Sequence, residues 1–264
     1  MTPQNQLVLR DDVDGISTLT INRPDQHNAL DRHVQEQLHR HLDDIGDDDS
    51  IDIVVFTGAG DQAFIAGADI NELAVRTPVD GLSAMLQRLF ERIANYSKTT
   101  IAAVNGYAFG GGHELALACD IRIGSSQAQF SFPETGLGIL PAAGGTQRLS
   151  ALVGQGLALD MILTGRRLSA DEALSATLIT YLVASDELLD TAHKIAQRIR
   201  RKGPLAVKLS REVVKRGAKT DTETGLFLER LAQAVLYSHE EKAEGTRAFQ
   251  EKRHPDFQSV RHDR

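Results

Sequence analysis

The chain has 264 residues, 41% hydrophobic and 25% charged, the balance of a soluble globular protein large enough to bury a core without disulfide or metal staples. A net charge of −7, the absence of Trp and an aromatic content of 5% argue against nucleic-acid binding. The single cysteine, Cys119, has no partner for an internal disulfide and fits a reducing cytoplasm. The amino-terminal stretch MTPQNQLVLRDD carries no leader pattern, and no apolar run reaches the ~20 residues of a membrane span.

Val8 to Arg10 and Ile16 to Ile21 read as short strands joined by a turn at Asp12–Gly15. Asp31 is the expected N-cap of a helix that carries Val34, Leu38, Leu42 and Ile45 on one face. The aspartates at 43, 44, 47, 48 and 49 lack interleaved Gly or Glu at ligand spacing, so they are read as a solvated turn rather than a metal site. A buried strand is expected over Ile51 to Phe56, then a helix from Leu82 to Ala94 and a second buried strand from Thr100 to Val104. Gly110-Gly111-Gly112 leads into an apolar helix, His113 to Ala118, followed by strands at Ile121 to Ile123 and Ala128 to Phe132. Beyond Gly144 the pattern is helical, over roughly 144–152, 155–163, 170–176, 187–201, 204–217, 221–237 and 239–251. Strands alternating with helices in the first half imply a largely parallel, buried sheet, and the helical remainder suggests a lid or an oligomerisation layer.

Gly58-Ala59-Gly60-Asp61-Gln62-Ala63 matches a dinucleotide fingerprint in letters only. The residues after it, Phe64 to Asp69, do not continue as a helix whose N-terminus would hold a pyrophosphate, so a glycine turn after a strand is the better reading. No nucleophile elbow or P-loop is present.

Three segments carry chemistry: Ala66 to Ile70, Asn105 to Leu115, and Phe132-Pro133-Glu134 followed by Gly136 to Thr146. In the second, glycines at a helix start leave bare backbone N–H groups free to meet an anionic oxygen. Glu114 stands in the first turn of the apolar helix HELALA, where burial would raise its pKa. Glu134 follows a proline in another apolar stretch. Taken singly, each feature has an ordinary explanation, as close helix packing, a dipole-compensating carboxylate or an exposed loop acid.

Together, and in this order, the segments resemble the enoyl-CoA hydratase/isomerase (crotonase) family over nearly the whole chain. The resemblance rests on Ile21 to Pro24, Asn28 to Leu30, Ala66 to Asp69, Ala102 to Gly106, the glycine-rich helix start, Pro133-Glu134, Gly144 to Leu149 and Phe249 to Phe257. It implies an α/β fold of the crotonase type, a ββα superhelix (spiral), with residues 1–200 forming the core and 201–264 a helical trimerisation region. It implies an enoyl-CoA hydratase: Ala68 and Gly111 as the backbone donors of an oxyanion hole, Glu114 on the attacking water, Glu134 exchanging the C2 proton, and the Ala142 N–H helping to hold the water. Coenzyme A would enter as part of the substrate, contacted by Arg23, Ala66, Ala68, Asp69 and Ile70, and by Phe249 and Lys252 from a neighbouring subunit. No metal or redox cofactor is implied, and the assembly would be a homotrimer or a hexamer of two trimers.

An isomerase would keep the carboxylate matching Glu134 and lack the one matching Glu114; a catalytically idle acyl-CoA-binding subunit would not need either. The chain departs from the hydratase pattern at Ala142, often Gly, at His113, commonly Cys or an apolar residue, and at Phe132, polar in some relatives. The acyl group is not legible.

Overall fold

The computed structural model describes residues 6–257, 259 and 260; the first residues of the amino-terminal stretch, up to position 5, lie outside it. The elements in chain order are β1 (Val8–Val13), β2 (Ile16–Ile21), α1 (Arg32–Gly46), β3 (Ile53–Gly58), β4 (Ala63–Ile65), α2 (Ile70–Ala74), α3 (Pro78–Ser83), α4 (Met85–Ala94), β5 (Thr99–Val104), β6 (Tyr107–Phe109), α5 (Gly111–Ala118), β7 (Ile121–Ser125) and β8 (Gln129–Ser131). Then follow α6 (Gly145–Val153), α7 (Gln155–Thr164), β9 (Leu168–Ser169), α8 (Ala170–Ser175), β10 (Tyr181–Val183), α9 (Leu188–Arg200), α10 (Pro204–Gly217), α11 (Thr222–Ser238) and α12 (Glu240–Gln250).

Six strands form the main sheet in the order β1-β2-β3-β5-β7-β10. β1 runs antiparallel to β2, and every other neighbour pair is parallel. All six residues of β3 are buried, as are the last five of β5, which is why these strands read as unbroken apolar runs. A second sheet of short strands, in the order β4-β6-β8-β9, carries the loops of the site. α1 begins where expected: the Asp31 side chain accepts from Val34 N at 2.7 Å, and Val34, Leu38, Leu42 and Ile45 are buried. Each of those four contributes about 1.5–3 kcal/mol by leaving water.

The expected helix over 82–94 is two helices. Thr77 and Asp80 form a reciprocal capping box that starts α3 at Pro78, and Ala84 sits in the left-handed region at φ 50° between α3 and α4. The fingerprint-like glycines serve packing, since a Cβ on Gly58 would lie 2.2 Å from Phe64 O. Two side-chain amides hold that loop: Asn28 Nδ2 donates to Ala59 O and Ala63 O, and Asn105 Nδ2 to Gly58 O and Gly60 O.

The chain divides into two compact units, Met1–His193 and Lys194–Arg264, with the division inside α9. In the second unit Glu241 caps the start of α10 by accepting from Leu205 N and Ala206 N, and Arg253 grips Glu244 through both terminal nitrogens at 2.6 and 3.0 Å. Among the described residues no helix is long and apolar enough to cross a membrane.

Candidate active site

The site grows from the start of α5. Gly110, the residue before it, has φ 49° and ψ −122°, a conformation open essentially only to glycine. Its N–H donates to Ser131 O at 3.0 Å and its carbonyl accepts from Glu114 N at 3.0 Å, which fixes the helix start against β8. Every residue of α5 is buried, so the charged side chain of Glu114 is carried inward with the apolar ones.

Glu114 is 2% exposed, and its Oε1 accepts from Ala143 N at 2.7 Å and Gly145 N at 2.8 Å. Gly145 opens α6, so the carboxylate also sits at a helix N-terminus. Arg148 braces this loop from α6, its Nη1 donating to Ala143 O at 2.9 Å. The two N–H donors and the Arg148 charge favour the ionised form, but burial outweighs them and pushes the Glu114 pKa up to about 7.

Glu134 lies in a single 3₁₀ turn, Glu134–Leu137, just after β8. Burial and then the negative charge of Glu114 raise its pKa, also to about 7. Its Oε2 is buried with no hydrogen-bond partner among the described residues, and its Oε1 crowds Gly110, where a Cβ would stand only 2.8 Å away. Two carboxyl groups that feel each other and titrate near neutrality share protons, so one is acid while the other is base.

The backbone on the other side of Gly110 supplies donors. Leu30 N donates to Gly67 O at 2.8 Å and Asp69 N to Leu30 O at 3.3 Å, a parallel bridge that leaves the intervening Ala68 N–H without a backbone acceptor among the described residues. Gly111 N, at the first position of α5, likewise has none. A Cβ at Gly111 would lie 3.7 Å from Ala68 N, which brings the two donors expected from the sequence into one place.

Other expected residues fare differently. The loop donors on Glu114 are Ala143 and Gly145, which sequence reasoning passed over, whereas Ala142 is exposed and makes no hydrogen bond to that carboxylate. Arg23, expected at CoA phosphates, has protein partners: Nη1 donates to Ala29 O at 2.6 Å, and Nη2 lies 3.2 Å from Asp31 Oδ2 and 3.3 Å from Asp69 Oδ2. Asp69 also caps α2 by accepting from Asn71 N at 3.0 Å. Ala66 is half-buried and Ile70 is exposed. Phe249, 86% exposed on α12, and Lys252, at φ 55°, belong to the second unit.

His113 is packed among aromatic rings. Its ring is fully buried and stacks on Phe132 at 4.4 Å, with Phe130 tilted at 5.4 Å. Burial and the Arg122 charge lower its pKa to about 3, so it stays neutral. Phe132 faces the carboxylate instead: a Cβ on Gly145 would meet Phe132 Cζ at 2.7 Å and Glu114 Oε1 at 2.9 Å.

The fold and site thus define a mixed α/β protein in which two carboxyl groups of raised pKa accompany backbone N–H groups that have no backbone acceptor among the described residues. A family profile described as enoyl-CoA hydratase/isomerase matches residues 11–260. The chain is 42% identical to a short-chain-enoyl-CoA hydratase of Clostridium acetobutylicum, covering 90% of this chain and 92% of that protein. It is 40% identical to a crotonyl-CoA hydratase of Syntrophomonas wolfei, covering 92% and 94%, and 40% identical to a 2,3-dehydroadipyl-CoA hydratase of Escherichia coli, covering 90% and 93%. The crystal structure of an enoyl-CoA hydratase from Bacillus anthracis superimposes with a TM-score of 0.92 at 38% identity, covering 96% of this chain and 99% of that one. The chain belongs to the enoyl-CoA hydratase/isomerase family.

Proposed function

We propose that the chain is an enoyl-CoA hydratase, a hydro-lyase that adds water reversibly across the 2,3 double bond of a trans-2-enoyl-CoA. The observation that carries this reading is the retention of both carboxylates, each with a pKa raised to about 7. Ionised Glu114 takes a proton from water, and the hydroxide oxygen bonds to C3. The C2–C3 π electrons move toward the thioester, and negative charge collects on its oxygen as an enolate. Ala68 N–H and Gly111 N–H, both without backbone acceptors among the described residues, receive that charge; one such donor is worth about 3–4 kcal/mol to the transition state. Protonated Glu134 delivers its proton to C2, and the carbonyl re-forms. Proton exchange with solvent returns the two carboxyl groups to their starting states, which pKa values near ambient pH make fast.

The reaction balances with water, the thioester and the two carboxyl groups, so no metal or redox cofactor is required, and coenzyme A is carried by the substrate. The names of the relatives point to short acyl-CoA thioesters as the first substrates to assay. Exposed apolar residues along α11, including Leu226, Phe227, Leu231 and Val235, support assembly with other copies as a homotrimer or a hexamer of two trimers. Such an assembly would bring in Phe249 and Lys252 as contacts of a neighbouring subunit's CoA. With one buried cysteine, the reading places the protein in the cytoplasm.

The test is loss of the conjugated-thioester absorbance of crotonyl-CoA. Glu114→Gln and Glu134→Gln are each expected to abolish hydration while thioester binding survives. Wild-type turnover in Glu114→Gln would sink the assignment, and a loss confined to Glu134→Gln would favour double-bond isomerisation.

A further inference from the structure

Arg23 is held by too many protein acceptors to serve a solvent-borne phosphate. Its side chain is only 11% exposed, against 14% for Asp31 and 15% for Asp69. Besides the two carboxylates, the guanidinium donates to Ala29 O and to Gln26 Oε1. One positive and two negative charges leave the cluster net negative, and a diphosphate approaching it would meet carboxylates.

What the cluster does hold is backbone. Asp31 caps α1 and Asp69 caps α2, so the planar fork ties two helix starts together. Between them runs the bridge in which Leu30 N bonds Gly67 O and Asp69 N bonds Leu30 O, with Ala66 N bonding His27 O just upstream. Ala68, the residue paired with Leu30 in this bridge, keeps an N–H with no backbone acceptor among the described residues. Arg23 itself is fixed from behind, since its N–H donates to Asn28 Oδ1 at 3.0 Å. A rotation of the 66–69 segment about its length would turn the Ala68 N–H away, and the Arg23–Asp69 contact resists that rotation.

We infer that Arg23 is a positioning residue for the oxyanion donor Ala68, acting through Asp69 and Asp31, and not a ligand of the coenzyme A phosphates. This rests on the assignment of Ala68 to the oxyanion hole made above. Removing the fork misaims one donor without deleting it, so the loss in kcat falls short of a full donor deletion, roughly 10–100-fold.

The test compares wild type with Arg23→Lys, Arg23→Met and Asp69→Asn on crotonyl-CoA and on crotonyl-pantetheine, which lacks the nucleotide phosphates. A second readout is the absorption band of bound cinnamoyl-CoA, which moves to longer wavelength when its carbonyl is polarised by hydrogen bonds. The expected result is a kcat loss of the same factor on both substrates, KM for crotonyl-CoA within about threefold, and a smaller band shift. Arg23→Lys keeps the charge but not the fork, and it is expected to fold and show the loss even if Arg23→Met does not fold. Raised KM on crotonyl-CoA alone, with pantetheine turnover and the band unchanged, would overturn the inference in favour of a phosphate ligand. Unchanged kcat and band in both Arg23→Lys and Asp69→Asn would overturn it too. If wild type shifted the band but hydrated nothing, the hydratase reading would fall while the band still reported on Arg23.

Discussion

Replacing Glu114 by Gln removes a charge that the fold disfavours, so the same substitution that stops turnover is expected to stabilise the protein. The Glu114 pKa rises from an ordinary 4.5 to about 7 on folding. At about 1.36 kcal/mol per pKa unit, the ionised carboxylate opposes folding by roughly 3 kcal/mol at pH 8. The sign follows from the protons: the folded state binds one more tightly than the unfolded chain, so stability declines as pH climbs from 4.5 to 7 and the full penalty is present above 7. At pH 5 most of the penalty is absent, leaving under about 1 kcal/mol. Gln keeps an oxygen that can accept from Ala143 N and Gly145 N, so no backbone donor is orphaned. Glu114→Gln is therefore expected to raise the unfolding free energy at pH 8 by roughly 2–3 kcal/mol, about 5–10 °C in Tm, and to change it little at pH 5. Denaturant unfolding of both proteins at the two pH values measures this. Equal changes at both, or destabilisation at pH 8, would show that burial is not what sets the Glu114 pKa.

Because the Glu114 charge helps raise Glu134, Glu114→Gln should also lower the apparent pKa of Glu134, read by carboxyl-resolved NMR titration. Gly110→Ala must place a methyl 2.8 Å from Glu134 Oε1 at φ 49°, and is expected to reduce kcat by about 100-fold while the protein still folds. His113→Leu exchanges a buried ring, held by no hydrogen bond of good geometry and only the Ser131 backbone nearby, for an apolar side chain; stability should hold or rise by about 1 kcal/mol in urea unfolding, with kcat within a few-fold. Lost turnover there would give His113 a chemical role that its stacking does not suggest. Arg148→Met frees the loop carbonyl of Ala143 and is expected to shift the pH–rate profile of hydration, because one donor to Glu114 loses its support.

α1, β3 and β5 are plain in the sequence because burial against any apolar surface writes its own period into the chain, as Val34, Leu38, Leu42 and Ile45 do. β4, β6 and β9 are three residues or fewer, too short to show a period, and the break between α3 and α4 rests on one left-handed residue, Ala84, whose type does not announce it. The glycine run and the two glutamates were legible as residue types whose local setting asks for a reason. Their relation was not: Glu114 is held by backbone 29 and 31 residues further on, through N–H groups that every residue but proline carries. Arg23 makes the same point, since nothing in its chain neighbourhood announces that its guanidinium pairs with both Asp31 and Asp69. The sequence alone determined which groups could react and the family they belong to. Tertiary structure alone decided which of them are dry, which are paired and which N–H groups are left unpaired, because desolvation and hydrogen bonding depend on neighbours that chain order does not name.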